Sequence, residues 1–293
     1  MISDASIEFL VNIERDIFYK KDTNHMTTFI AEQACVDPRA EIDNDVEIGP
    51  FCVIGPGARI GHGTHLVGNV TIMGQVTIGS HNHIYPGAVI GAEPQDASYQ
   101  GSDTQVVIGN HNMIREGVTV NRGSEKEDGI TYIGNHNFLM ANAHVAHDCH
   151  VGSHTVIANG SLLGGHVHID DHATLSGSTC VHHFVTIGRF AFIGGLSRVI
   201  HDVPPYMLVD GQPARPKCIN VVGLKRNAFS AEDIGYISEA HRLLYRAKVG
   251  LEQAQESLLS NDQLTPEVNQ VLQFVQNQRD GEHGRAREQR RAA

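Results

Sequence analysis

An aliphatic residue recurs at every sixth position: Val36, Ile42, Ile48, Ile54, Ile60, Leu66, Ile72, Ile78, Ile84 and Ile90 keep one unbroken phase. The pattern resumes at Ile108, Ile114 and Val120. It resumes again at Ile133 and runs through Leu139, Val145, Val151, Ile157, Leu163, Ile169, Leu175, Val181, Ile187 and Ile193 to Val199. A period of six fits neither the 3.6-residue helix nor the simple alternation of a half-exposed strand. A parallel β-helix satisfies it, with three short strands in each coil of about 18 residues and one branched side chain per strand turned inward. Neighbouring coils would then lie about 4.8 Å apart, the ordinary interstrand spacing. Glycine follows the aliphatic residue at Gly49, Gly55, Gly61, Gly79, Gly91, Gly109, Gly134, Gly152, Gly164, Gly188 and Gly194, which suggests tight turns or positive φ there.

Two polar interruptions, residues 91–107 and 121–132, are expected to leave the prism as loops, either to carry function or only to fill solvent. The repeat stops at Asp202-Val203-Pro204-Pro205-Tyr206, since paired prolines cannot extend a sheet ladder. The expected organisation is an N-terminal extension over 1–26, the hexapeptide prism over 27–203, a helical domain over 204–280 and a charged, disordered tail over 281–293. The extension could form one short helix through Leu10, Ile13 and Ile17, and a chain beginning at Met26 is expected to fold without it. In the helical domain Ser230 and Asp233 read as a capping box, and Ile234, Ile237, His241, Leu244 and Tyr245 share one face. Further helices are expected near 249–260 and 266–279, covering an otherwise open coil edge.

Composition narrows the functional classes. Against 22 Lys plus Arg stand 33 Asp plus Glu among 293 residues, a net charge of -11, which argues against a general nucleic-acid binder. No stretch approaches the roughly 20 apolar residues that span a bilayer. The five cysteines are odd in number and form no C-x-x-C pair, consistent with a reducing cytoplasm.

The 19 histidines carry the chemical signal. Positions about 18 residues apart stack on neighbouring coils, so His147, Gly165, His183 and His201 form one column and Asp148 lies beside His166. A base, a carboxylate able to orient it and a glycine amide are the parts of an acyl-transfer site. Surface histidines on a polar face are the plainer alternative. His136, His154 and His172 form a second column at a corner, where a metal ladder competes with simple solvation.

Several segments together resemble the UDP-N-acetylglucosamine O-acyltransferase family of lipid A biosynthesis, over about residues 27–280. They are Gln95-Asp96-Ala97-Ser98-Tyr99, Ile114-Arg115-Glu116 to Arg122-Gly123, Asn142-Ala143-His144-Val145-Ala146-His147-Asp148-Cys149, Gly165-His166, His182, and Asn220 with Gly223-Leu224-Lys225-Arg226. The resemblance implies a left-handed parallel β-helix with a C-terminal helical domain, assembled as a homotrimer with active sites between subunits. The acyl donor is an acyl carrier protein bearing a 3-hydroxyacyl group on its phosphopantetheine, and no cofactor of the enzyme's own is implied. By the same resemblance His147 is the general base, Asp148 its orienting carboxylate and Gly165 the oxyanion donor. Asp96, His144, His166 and His182 match positions that contact the sugar nucleotide or acyl chain, while Asn220 and Arg226 match the nucleotide side. Gly195 matches the residue that limits acyl-chain length. A glycine there implies an open groove and a chain of about fourteen carbons, each buried methylene contributing about 0.8 kcal/mol.

The carrier is acidic, and Arg215, Lys217, Arg242, Arg246 and Lys248 are the candidates to receive it. Ser98, Asn121, Val222 and Asn227 depart from residues common in the family, which leaves acylation of a 3-amino UDP-sugar as an alternative. A γ-type zinc carbonic anhydrase, also a trimeric β-helix, is the rival from another enzyme class.

Overall fold

The computed structural model describes residues 27–284 and Arg287. The expected N-terminal helix through Leu10, Ile13 and Ile17 therefore lies outside the described residues, as does most of the charged tail. From Phe29 to Val199 the chain winds as a three-sided prism of short strands, most of them two residues long. Together with two strands beyond Val199 they form three sheets of 11, 9 and 8 strands. Register follows the coil: His150 pairs with His168 and Val151 with Ile169, in parallel. On most strands the aliphatic residue of the repeat fills the interior, and Ile48, Leu66, Ile84, Ile90, Leu139 and Ile157 are all 0% exposed. Each such side chain contributes about 1.5–3 kcal/mol by its removal from water.

The glycines that follow the aliphatic positions serve a purpose different from the one expected. Of that set only Gly91 has positive φ. The others yield to close coil contact: a Cβ on Gly49 would sit 2.0 Å from the Val67 carbonyl oxygen, and one on Gly134 2.6 Å from that of Gly152. Positive φ falls two residues later, and much of it on side chains: His81, His111, His136, Asn142, Asp148, His154, His166, His172, Phe184 and Phe190 lie between 53° and 65°. Asn, Asp and His tolerate this conformation better than most residues, so the corners place polar side chains in fixed directions.

The interruptions leave the prism as loops only over 93–104 and 122–129, shorter than the expected 91–107 and 121–132, because strands Val89–Ala92, Gln105–Ile108, Thr119–Asn121 and Ile130–Ile133 take up their ends and still pair. Gln75 aligns with Gln105, and Gln105 with Ile130, so the coil closes in register across each insertion. The two loops pack on one another. Lys126 Nζ lies 2.5 Å from Asp96 Oδ2, the Arg122 guanidinium lies over the Tyr99 ring, and Asn121 Nδ2 donates to the Glu93 carbonyl at 2.7 Å.

The sheet does not end at residue 203, contrary to the expected boundary. Pro204 and Pro205 occupy a corner, where no ladder donor is required, and strand Met207–Gly211 then pairs in parallel with Phe192–Ile193. It turns back antiparallel through Ala214–Ile219. Helices follow: α1 (Val221–Arg226), α2 (Ala231–His241) continuing into a π-helical turn (Arg242–Arg246), α3 (Leu251–Ser260) and α4 (Pro266–Arg279). Both halves of the Ser230–Asp233 capping box are formed. Ile237 and His241 are buried on the expected face, with Ile234, Leu244 and Tyr245 partly buried. The start of the tail is packed, where disorder was expected. Arg287 Nη2 donates to the carbonyls of both His166 and Phe184, each at 2.7 Å.

Candidate active site

The His144–Val145 strand leads into the corner that holds His147 and Asp148. Asp148 takes positive φ of 58°, which turns its carboxylate back toward the preceding imidazole. His147 Nδ1 and Asp148 Oδ2 lie 2.7 Å apart, the carboxylate fully buried and the imidazole 12% exposed. Ser124, from the second inserted loop, holds the same carboxylate: its Oγ donates to Oδ2 at 2.6 Å and its amide to Oδ1 at 2.8 Å. The Asp148 amide donates in turn to Thr131 Oγ1 at 2.9 Å. Burial alone would raise the Asp148 carboxyl, but the hydrogen bonds from His147 and from the Ser124 hydroxyl and amide outweigh it and hold the group below its ordinary value.

Gly165 sits one coil on, directly against the imidazole. A Cβ there would approach His147 Cε1 to 2.6 Å, so only glycine lets the ring take this position. Among the described residues the Gly165 amide donates no hydrogen bond. It is a fixed donor beside the His147 imidazole, as stacking at 18 residues anticipates. His166 shares the corner. Its ring stacks on Phe184 at 4.3 Å and meets His147 edge-on at 5.1 Å. Its Nε2 lies 3.7 Å from Asp148 Oδ2, and its Nδ1 3.5 Å from Glu127 Oε1.

His144 Nδ1 and Thr119 Oγ1 are 2.7 Å apart on adjacent strands, and burial, then the neighbouring His147, lower the His144 pKa. Asp96 lies on the first loop, where hydrogen bonds from Lys126 and then the Ser98 amide hold it well below the usual carboxylate range. His182 packs against His183 with ring centroids 3.8 Å apart. Asn220 is committed to structure: Oδ1 accepts from the Gly223 amide at 3.0 Å and Nδ2 donates to the Phe190 carbonyl at 2.9 Å. It fixes the start of α1, whose last turn carries the exposed Arg226. Gly195 is exposed, and a Cβ on it would meet nothing closer than the Gly177 carbonyl oxygen at 3.5 Å.

Cys149 adjoins His147 and Asp148 but offers no reactive thiolate. It is completely buried, its Sγ donates to the Gly164 carbonyl at 3.2 Å, and burial pushes its thiol up to about 12. Sequence reasoning missed Ser124, Thr131 and Glu127. They reach the site through the second insertion, where the 18-residue rule does not apply. The histidine corner is longer than the expected three members: His81, His111, His136, His154 and His172 run in one stack that ends on Phe190.

The arrangement resembles that of known proteins along nearly its whole length. Residues 202–283 match the family model described as UDP-N-acetylglucosamine O-acyltransferase, domain 2, and residues 130–165 match the bacterial transferase hexapeptide model. Residues 30–124 match a model for the GMPPB C-terminal domain. The chain is 47% identical over 254 residues to the acyl-[acyl-carrier-protein]--UDP-N-acetylglucosamine O-acyltransferase of Halorhodospira halophila, covering 87% of this chain and 98% of the relative. The enzyme of the same description from Paracidovorax citrulli is 56% identical over 229 residues, or 78% of this chain and 87% of the relative. A crystal structure of a UDP-N-acetylglucosamine acyltransferase from Bacteroides fragilis 9343 superposes with a TM-score of 0.83 at 36% identity, covering 85% of this chain and 97% of that one. The prism is thus a left-handed parallel β-helix. Among the described residues no helix is long and apolar enough to cross a membrane. With its hexapeptide prism, its helical end and its His147–Asp148 pair in one frame, the chain belongs to the UDP-N-acetylglucosamine O-acyltransferase family and is an acyltransferase.

Proposed function

We propose that this enzyme transfers a (R)-3-hydroxyacyl group from acyl carrier protein to the 3-hydroxyl of UDP-N-acetylglucosamine, the opening step of lipid A biosynthesis. The observation that carries the reading is the His147–Asp148 pair, 2.7 Å apart, set against a glycine that admits the imidazole and keeps its amide uncommitted. Asp148 accepts from His147 Nδ1–H and so leaves Nε2 as the basic nitrogen. Nε2 takes the hydroxyl proton as the sugar oxygen attacks the thioester carbon. The Gly165 amide donates to the oxyanion of the tetrahedral intermediate. Collapse breaks the carbon–sulfur bond, and the imidazolium returns its proton to the phosphopantetheine thiolate. The acyl group passes directly from carrier to sugar, and the inert Cys149 supports a route without an acyl-enzyme.

Asp96, His144, His166 and His182 line the acceptor and acyl path, Arg226 serves the diphosphate, and Asn220 positions Arg226 by capping α1. No cofactor beyond the carrier's phosphopantetheine is needed. The enzyme works as a cytoplasmic homotrimer with acyl chains lying between subunits. Exposed Leu162 on the outer face of the sheet that carries His144 supports such a groove.

The test is a direct assay of purified protein with carrier-bound 3-hydroxyacyl chains and either UDP-N-acetylglucosamine or its 3-amino analogue. Ester formation with the first sugar is expected. Amide formation with the second alone would overturn the choice of acceptor and support the alternative read from Ser98 and Asn227.

A further inference from the structure

We propose that Glu127, His150 and His168 form a binding site for a divalent transition-metal ion of the zinc class. One donor atom from each comes within 4.8 Å of the other two. His150 and His168 occupy equivalent outward positions on neighbouring parallel strands, with ring centroids 5.0 Å apart. The second inserted loop brings Glu127 to them, its side chain only 9% exposed. Two imidazoles and one carboxylate are a donor set that zinc, cobalt and similar ions favour, whereas calcium and magnesium prefer all-oxygen shells. Tetrahedral ligation at about 2.0–2.1 Å requires donor atoms about 3.4 Å apart, so the three side chains close by rotating about their own torsions. A shallow hollow of about 370 Å³, lined by Tyr132, His150, His168, Asp170, Asp171 and Arg189, gives an ion access to the two imidazoles from solvent.

The site already attracts positive charge. Arg287 Nη1 lies 2.8 Å from His168 Nε2, so the guanidinium and a metal ion compete for the same lone pair. A second trio, His147, Asp148 and His166, has similar spacing. There, however, the carboxylate is fully buried and its oxygens already accept three hydrogen bonds, from His147 and from the Ser124 hydroxyl and amide. The ion therefore belongs with Glu127, beside the reaction centre and separate from its base.

Cobalt(II) titration of the full-length protein, purified without a histidine tag and followed by visible d–d absorption, tests the site. One ion per chain is expected. His168→Ala and, separately, His150→Gln should abolish the signal while far-ultraviolet circular dichroism and melting stay as in the parent. Arg287→Ala should tighten binding at least severalfold by removing the competitor, and His147→Ala should leave it intact. Absence of saturable absorption in both the parent and Arg287→Ala would overturn the proposal. So would a signal that survives in folded His168→Ala or His150→Gln, or one lost on His147→Ala, because the ion would then sit on the histidine corner or on the other trio.

Discussion

Asp148 is held by three hydrogen bonds on its two carboxylate oxygens, so it orients His147 as a fixed anion and not as a mobile one. Replacing His147 with alanine should lower turnover by about 10²–10⁴, the usual cost of losing a general base. Assembly and melting should be unchanged, because the ring is partly exposed and fills no part of the prism core. Turnover near the parent value across the pH range would mean another group takes the proton. Gly165→Ala reports on the same geometry from the other side. The added methyl would enter the space of the imidazole, and kcat should fall sharply in a folded protein. A variant of parental activity would show that the ring can work from another position. His147, Asp148, Gly165 and His166 could be read in advance because they are one coil apart. Ser124 could not. It meets Asp148 across an insertion, and no sequence offset announces contacts made by a loop that folds back onto the prism.

At the scale of elements, the strands and corners carry more of the expected site residues than the helices do. Gly195 begins the corner that leads into the Arg198–Val199 strand, and His147 follows the other edge of the same sheet, so an acyl chain laid across that sheet would run from one to the other. The 3.5 Å clearance at Gly195 accommodates a side chain without moving the backbone. Gly195→Met should then shift preference from chains of about fourteen carbons toward shorter ones, each excluded methylene removing about 0.8 kcal/mol of burial. Competition assays with mixed carriers measure this, and equal loss on every chain length would withdraw Gly195 as the limit. On the helical side, Arg242 is paired with Glu239 through two bonds of 2.7 Å but stays half exposed. Arg215, Lys217, Arg246 and Lys248 are exposed as well. Reversing two of these charges should raise KM for the carrier, with a steep salt dependence; an unchanged KM would remove this surface. The helices themselves were legible from the Ser230 cap and the apolar period. The 207–219 hairpin was not, since an antiparallel return strand carries no six-residue signature.

For the whole molecule, burial of neutral imidazoles sets the pH dependence of stability. His83 is lowered to about 4 and His168 to about 3, chiefly by burial, from an ordinary value of 6.5. Below 6.5 the unfolded chain therefore binds protons that the folded one refuses, and stability falls as pH decreases toward those values. Asp202 acts in the opposite sense. Burial raises it to about 6, so its contribution is present at low pH and lost as pH rises through that value. The histidines outnumber it, and the melting temperature should drop between about pH 7 and pH 5. A flat profile over that interval would show that these rings become solvated without cost.

The stack that runs from His81 to His172 along one corner has a consequence of another kind. Its rings repeat at 4.8–5.0 Å, close to the spacing of the coils themselves. Burial and then the two flanking imidazoles lower His111, and burial, then His154, lower His172, so those two rings in the row resist a charge. The row is also a gauge of the winding: removing one whole coil would leave the stack continuous, while removing any other length would break it.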